Sequence, residues 1–287
     1  MENQEDFKKY YESIKIHNIE IDEIKKKIAM LIDFPLFKDG IVQFYSPIDV
    51  QHAGFNIFRR LTDANSWISK ASDLFNFIRY SVMSSFSQLD KCENMFNPFR
   101  VTEEYKLVFY YVENATFRLF MAWDVLGHMY NHFYEMGIGI DRVDYNKVFK
   151  KSNCDFMDER LNKVIGHQEA INFVKKEYML VKEYISTEYE YTNGLTRGHH
   201  KYLKSIRNMA IHREDPHNFS ILNSSSRKMP LVDAPQYELM NIVEDAFKLY
   251  HYISTLIKLY YFEFRGYGLD LGELQVIKFD ESHEQIR

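Results

Sequence analysis

Structure breakers and cysteine are both scarce in this chain: its 287 residues include 11 Gly, 6 Pro and 2 Cys. So few glycines and prolines argue against a turn-rich β sandwich and favour long helices. Cys92 and Cys154 are too few for a disulfide framework and form no CxxC zinc pattern, which fits a reducing compartment. No run of about 18 uncharged apolar residues is present, as a membrane helix needs. The opening MENQEDFKKYYESIK is charged where a signal peptide has an apolar core. A soluble cytoplasmic protein is expected. A basic excess is missing as well, because the net charge is −5. That excludes a protein that coats nucleic acid with its whole surface, so any contact with RNA or DNA must be local. There is no Gly-rich phosphate loop, no Ser nucleophile elbow and no HExxH.

What the chain does contain is apolar bulk at helical spacing: 46% hydrophobic residues, with 23 Phe and 21 Tyr. The spacing predicts helices over 5–34, 50–62 and 65–90, the last capped by Asn65 or Ser66. A long helix is expected over 102–136, stopped by Gly137, followed by short helical pieces through 166. Helices over 168–191 and 196–213 form an expected αα-hairpin, with Asn193-Gly194 as a left-handed stop between them. Asp215-Pro216 ends the second. The last helix, 236–264, is apolar around most of its circumference, as in a central bundle helix. Residues 41–45 and 274–279 alternate and are expected to pair as a small two-stranded sheet. The predicted fold is therefore an all-α helical bundle over 50–264, with an N-terminal helical extension (1–49) and a C-terminal tail (265–287).

One local stretch supplies what the whole chain lacks. From Tyr191 to Arg213 there is no acidic residue, while Arg197, His199, His200, Lys201, Lys204, Arg207, His212 and Arg213 are present. A solvated helix face is one reading; a nucleic-acid contact surface, with His200, Lys204 and Arg213 reaching phosphate or base, is the other. The run ends in RNMAIHRED. There, a permanent cation stands beside a group that titrates near neutral pH. Asn208 and His212 are four residues apart and lie one above the other on a helix. Arg207 is about 100° round from Asn208, and its long side chain reaches the same edge. Ile206, Met209 and Ala210 can hold the helix against a core. Such a set suits phosphodiester cleavage: the guanidinium holds the phosphate and the imidazole moves protons. A structural pair at a helix C-terminus, where cations belong, is the alternative. Arg160 and His167 also fit the loose pattern of Arg, four to six residues, then His, but Gly166 breaks the helix before the His.

RNMAIH, with a polar residue directly after the Arg, on the penultimate long helix of an all-helical chain, resembles the active motif of the HEPN superfamily. The following His-Arg pair and acidic-Pro stop are similar too. The resemblance spans roughly 50–264. It implies a helical-bundle, metal-independent endoribonuclease of the kind found among toxins, CRISPR-associated RNases and antiphage proteins, with no cofactor. In it the RNA 2′-OH attacks the adjacent phosphorus, and His212 serves as general base or acid. Arg207 neutralises charge on the pentavalent phosphate, and Asn208 orients His212 or the phosphate. The resemblance also implies a homodimer whose two motifs face one cleft, and an antitoxin or inhibitor protein as a further partner. The chain departs from a common variant in having Glu214, not Tyr, two residues after the His.

Two other functions stay open on the sequence. One is a HEPN-like binding module without turnover. The other is a metal-dependent bundle enzyme, because Asp124, His128 and His132 stand four apart on one helix with Glu113 on the same side. The bland reading of that strip is a polar face turned to solvent or lining the domain's cleft.

Overall fold

The computed structural model describes residues 55–91, 103–150, 154–192, 195–211 and 235–267. Among them the chain forms seven α-helices: α1 (Phe55–Lys91), α2 (Glu103–Phe133), α3 (Tyr145–Val148), α4 (Asp158–Val164), α5 (Gln168–Ser186), α6 (His199–Ile211) and α7 (Pro235–Gly266). A short antiparallel pair, β1 (Glu190–Thr192) and β2 (Leu195–Arg197), joins α5 to α6. The fold is an all-α bundle. The expected helix over 5–34 and the expected pairing of 41–45 with 274–279 lie outside the described residues. No described helix is long and apolar enough to cross a membrane.

α1 and α2 form an antiparallel hairpin. Near its connection Ser85 Oγ donates to the Val108 carbonyl, and at its far end Arg60 donates to the carbonyls of His132 and Phe133. On α1, Leu61, Ala64, Ile68, Ala71, Phe75, Ile78 and Val82 recur at three- and four-residue steps, and all are buried. This stripe runs through Asn65 and Ser66 without a break. The expected separation of 50–62 from 65–90 is therefore corrected to one helix: burial on both sides of the polar pair outweighs their preference for a cap.

α2 and α7 are buried on several sides and carry most of the core. They are stitched by Trp123 Nε1, which donates to Asp245 at 2.8 Å, and by the Tyr260 hydroxyl, which donates to the Met129 carbonyl at 3.1 Å. At the end of α2 the buried Glu263 carboxylate receives both Arg60 and Arg160, tying α1, α4 and α7 together. Arg160 is thus spent inside the fold, in keeping with its exclusion as a motif.

The link from α5 to α6 differs from the expected helix–stop–helix. α5 ends at Ser186, with Thr187 extended after it, and strands flank Asn193-Gly194 on both sides. An Asn-Gly pair between two short extended runs is a hairpin signal, and here it outweighs the helix-stop reading. At the start of α6, Gly198 has φ +74°, and a Cβ there would stand 2.4 Å from the Glu188 carbonyl oxygen. Only glycine fits that approach.

Candidate functional site

α6 enters the bundle with its first turn and leaves it with its last. Tyr202, Leu203 and Ile206 face the core, and His200 shares their side with no exposure at all. His200 Nε2 lies 2.9 Å from the Tyr145 hydroxyl and Nδ1 lies 3.3 Å from Asp245 Oδ2. Because a carboxylate only accepts, Nδ1 carries the proton and Nε2 accepts from Tyr145. Phe120 and Trp123 wall the imidazole at centroid distances of 5.1 and 4.8 Å. The expectation that His200 contacts RNA is corrected: it is a buried hinge between α6, α3 and α7. His199 is occupied as well, with Nδ1 2.7 Å from Asn241 Oδ1, and Lys201 pairs with Glu188.

One turn beyond His200, Lys204 is half-buried. Its Nζ donates to Asn146 Oδ1 at 2.7 Å and lies 5.6 Å from the centre of the Tyr145 ring. Three residues on, the half-buried Arg207 guanidinium sits over the Phe120 ring at 5.0 Å. The two cations share an edge of α6. Burial, then the neighbouring Arg207, pushes the Lys204 ammonium below its ordinary range. Across from them on α2, Asp124 accepts the Tyr145 backbone N–H and lies within electrostatic reach of Arg207. Burial pushes its carboxyl above the ordinary range, against the opposing pull of that N–H and of Arg207.

Gly127 makes this arrangement possible. A Cβ there would stand 3.0 Å from the backbone N and Cα of Tyr145. With no side chain at 127, the first turn of α3 lies directly on α2. That sets the Tyr145 N–H on Asp124 and Asn146 beside Lys204. The result is a half-open edge with two cations held on aromatic faces and a carboxylate opposite. Such an edge suits an anionic ester whose charge grows during reaction.

Of the residues expected at the site, Arg207 and Lys204 meet on this edge and Asn208 is exposed on the next position of α6. His212 and Arg213 lie outside the described residues. Sequence reasoning did not assign Phe120, Tyr145 or Asn146 to the site. They come from distant elements, and the only local signal was Asp144 as a cap, which accepts the Lys147 N–H at the start of α3.

The strip left open as a metal site is divided among different neighbours. Asp124 is turned to Tyr145 and Arg207. The His128 ring stacks on Trp67, and His132 Nδ1 is bonded to the Tyr260 hydroxyl at 2.7 Å. Helical spacing aligned these three along α2, but each is drawn to a different neighbour. Among the described residues no three His, Cys, Asp or Glu side chains converge as a metal would require. On α7, His251 Nε2 lies 2.9 Å from Glu177 Oε2.

The described chain is a helical bundle with a cationic edge on its penultimate long helix, and one family comparison bears on its first half. The family model of HEPN_Cthe2314-like HEPN domains matches residues 59–177, from α1 into α5. This match supports membership of the HEPN superfamily; the matched region stops short of Arg207, so RNMAIH is no part of it. No curated protein and no solved structure matches the chain.

Proposed function

We propose that the protein is a metal-independent endoribonuclease acting through Arg207, Asn208 and His212. The observation that carries this reading is the preset Arg207. Its guanidinium is half-buried on Phe120, faced by Asp124 and flanked by Lys204, on the helix whose sequence continues into His212. A cation held this way need not reorganise when a phosphorane forms. The RNA 2′-hydroxyl attacks the adjacent phosphorus as His212 takes its proton. Arg207 and Lys204 hold the non-bridging oxygens. The P–O5′ bond breaks, the 5′-oxygen takes up a proton, and a 2′,3′-cyclic phosphate remains. Asn208, exposed one position on, orients His212 or the phosphate, and Arg213 adds a backbone contact. Two copies face their motifs into one cleft, and an inhibitor protein restrains the activity, as a toxin or phage-defence effector requires.

The test is incubation of the purified protein with single-stranded RNA in EDTA. Cleavage is expected to persist in EDTA and to fall by roughly 10²–10³ in Arg207→Ala, with loss in His212→Ala as well. RNA bound but not cut identifies a binding module without turnover and overturns the nuclease reading.

A further inference from the structure

The seam between α1 and α2 holds a pair of rings that the cleavage chemistry does not use. His128 lies flat on Trp67, with ring centroids 4.3 Å apart and planes 11° apart. Both residues are half-buried, whereas Phe120, Trp123 and Tyr145 are fully inside. Lys70, exposed one turn along α1, places Nζ 5.5 Å from the same indole. Burial, then Lys70, pushes His128 below its ordinary range, so the stacked imidazole stays uncharged near neutral pH. His128 is four residues, about 6 Å along the axis, beyond Asp124 on the same face of α2. Asp124 in turn faces Arg207. A flat uncharged π surface with the Lys70 ammonium over its indole therefore lies one turn from Asp124 on the same face of α2.

We infer that Trp67 and His128 form a stacking platform for the RNA base beside the scissile phosphate, with Lys70 meeting the adjoining backbone phosphate. The inference rests on the nuclease reading for where that phosphate sits. Base-on-aromatic stacking tolerates any base, because every base has a π face. The platform therefore favours unpaired RNA over duplex without selecting a sequence, since stacked bases of a duplex cannot reach it.

The chain offers its own probe. Of its two tryptophans, Trp123 is wholly buried and hydrogen-bonded to Asp245, so a ligand that quenches tryptophan emission reports on Trp67. The titrant is a 2′-O-methyl RNA hexamer, which lacks the attacking hydroxyl and leaves the protein unaltered. Saturable quenching is expected. Affinity, measured in parallel by anisotropy of a labelled hexamer, is expected to fall about five- to hundredfold in Trp67→Leu and to stay within about threefold in Trp67→Phe. His128→Ala, which leaves the α1 stripe intact, is expected to weaken binding in the same direction should Trp67→Leu fail to fold. Hexamer binding with unchanged tryptophan emission and an unaltered affinity in these variants overturns the platform and leaves the nuclease reading standing. No hexamer binding overturns the platform too, while cleavage of unmodified RNA in EDTA judges the nuclease reading separately.

Discussion

At the scale of single residues, side chains of one type take opposite roles according to helix phase. His200 stands in a basic run and reads as a surface contact. Yet it is three residues before Leu203 and six before Ile206, on the apolar side of α6, and that phase was the available signal of its burial. Lys204 and Arg207 border the same side and reach its edge, so the cationic part of the site was legible from spacing. The ring beneath Arg207 was not, because Phe120 belongs to another helix and nothing local ties the two. His132 shows a further consequence of burial. Its pKa is pushed down to about 4 by burial and then by Arg60, from an ordinary 6.5. As pH falls, the unfolded chain binds this proton before the folded one does. The contribution is therefore complete above about pH 6.5 and is lost as pH drops toward about 4, on the order of 3 kcal/mol in full. Urea denaturation across that window is expected to show a shallower acid loss in His132→Asn than in the unsubstituted protein. Parallel curves would show that His132 does not carry the effect.

At the scale of elements, the helices were readable and their joints were not. The three- and four-residue steps of α1, α2 and α7 are strong because whole stripes are buried. The break expected at Asn65-Ser66 failed because a cap preference of about 1 kcal/mol is small beside the burial of Ala64 and Ile68 around it. The pairing of β1 with β2 was missed because an Asn-Gly dipeptide serves both helix stops and tight strand turns. α3 is only four residues long and is fixed by its seat on α2, a tertiary fact with no periodic signature. That seat depends on Gly127. Gly127→Ala puts a methyl 3.0 Å from the Tyr145 backbone, which has no flexible end to yield. It is expected to cost about 1–3 kcal/mol by denaturation. It is also expected to lower cleavage per folded molecule, because the Tyr145 N–H and Asn146 shift away from Asp124 and Lys204. Unchanged cleavage would separate α3 from the site.

At the scale of the whole molecule, the proposed function asks an acidic chain with net charge −5 to meet a polyanion through one small cationic edge. The helical class was legible from composition, while the HEPN resemblance rested on one short motif together with the all-helical order. The matched region, residues 59–177, supports the fold and leaves the motif to experiment. Pairing two copies doubles the local positive field without changing the composition. Light scattering is expected to give a native mass near twice the 34.5 kDa chain. A monomer at working concentration would remove the two-motif cleft from the proposal. RNA binding is expected to weaken only modestly with salt, since few cations carry it and the salt slope grows with their number.

The most direct measurement is the chemistry of the cut ends. RNA incubated with the protein in EDTA and analysed by mass spectrometry is expected to yield one fragment ending in a 2′,3′-cyclic phosphate and one beginning with a 5′-hydroxyl, with both lost in Arg207→Ala. Fragments bearing 5′-phosphate, or cleavage that needs a divalent ion, would contradict attack by the RNA's own hydroxyl at an arginine-held phosphate.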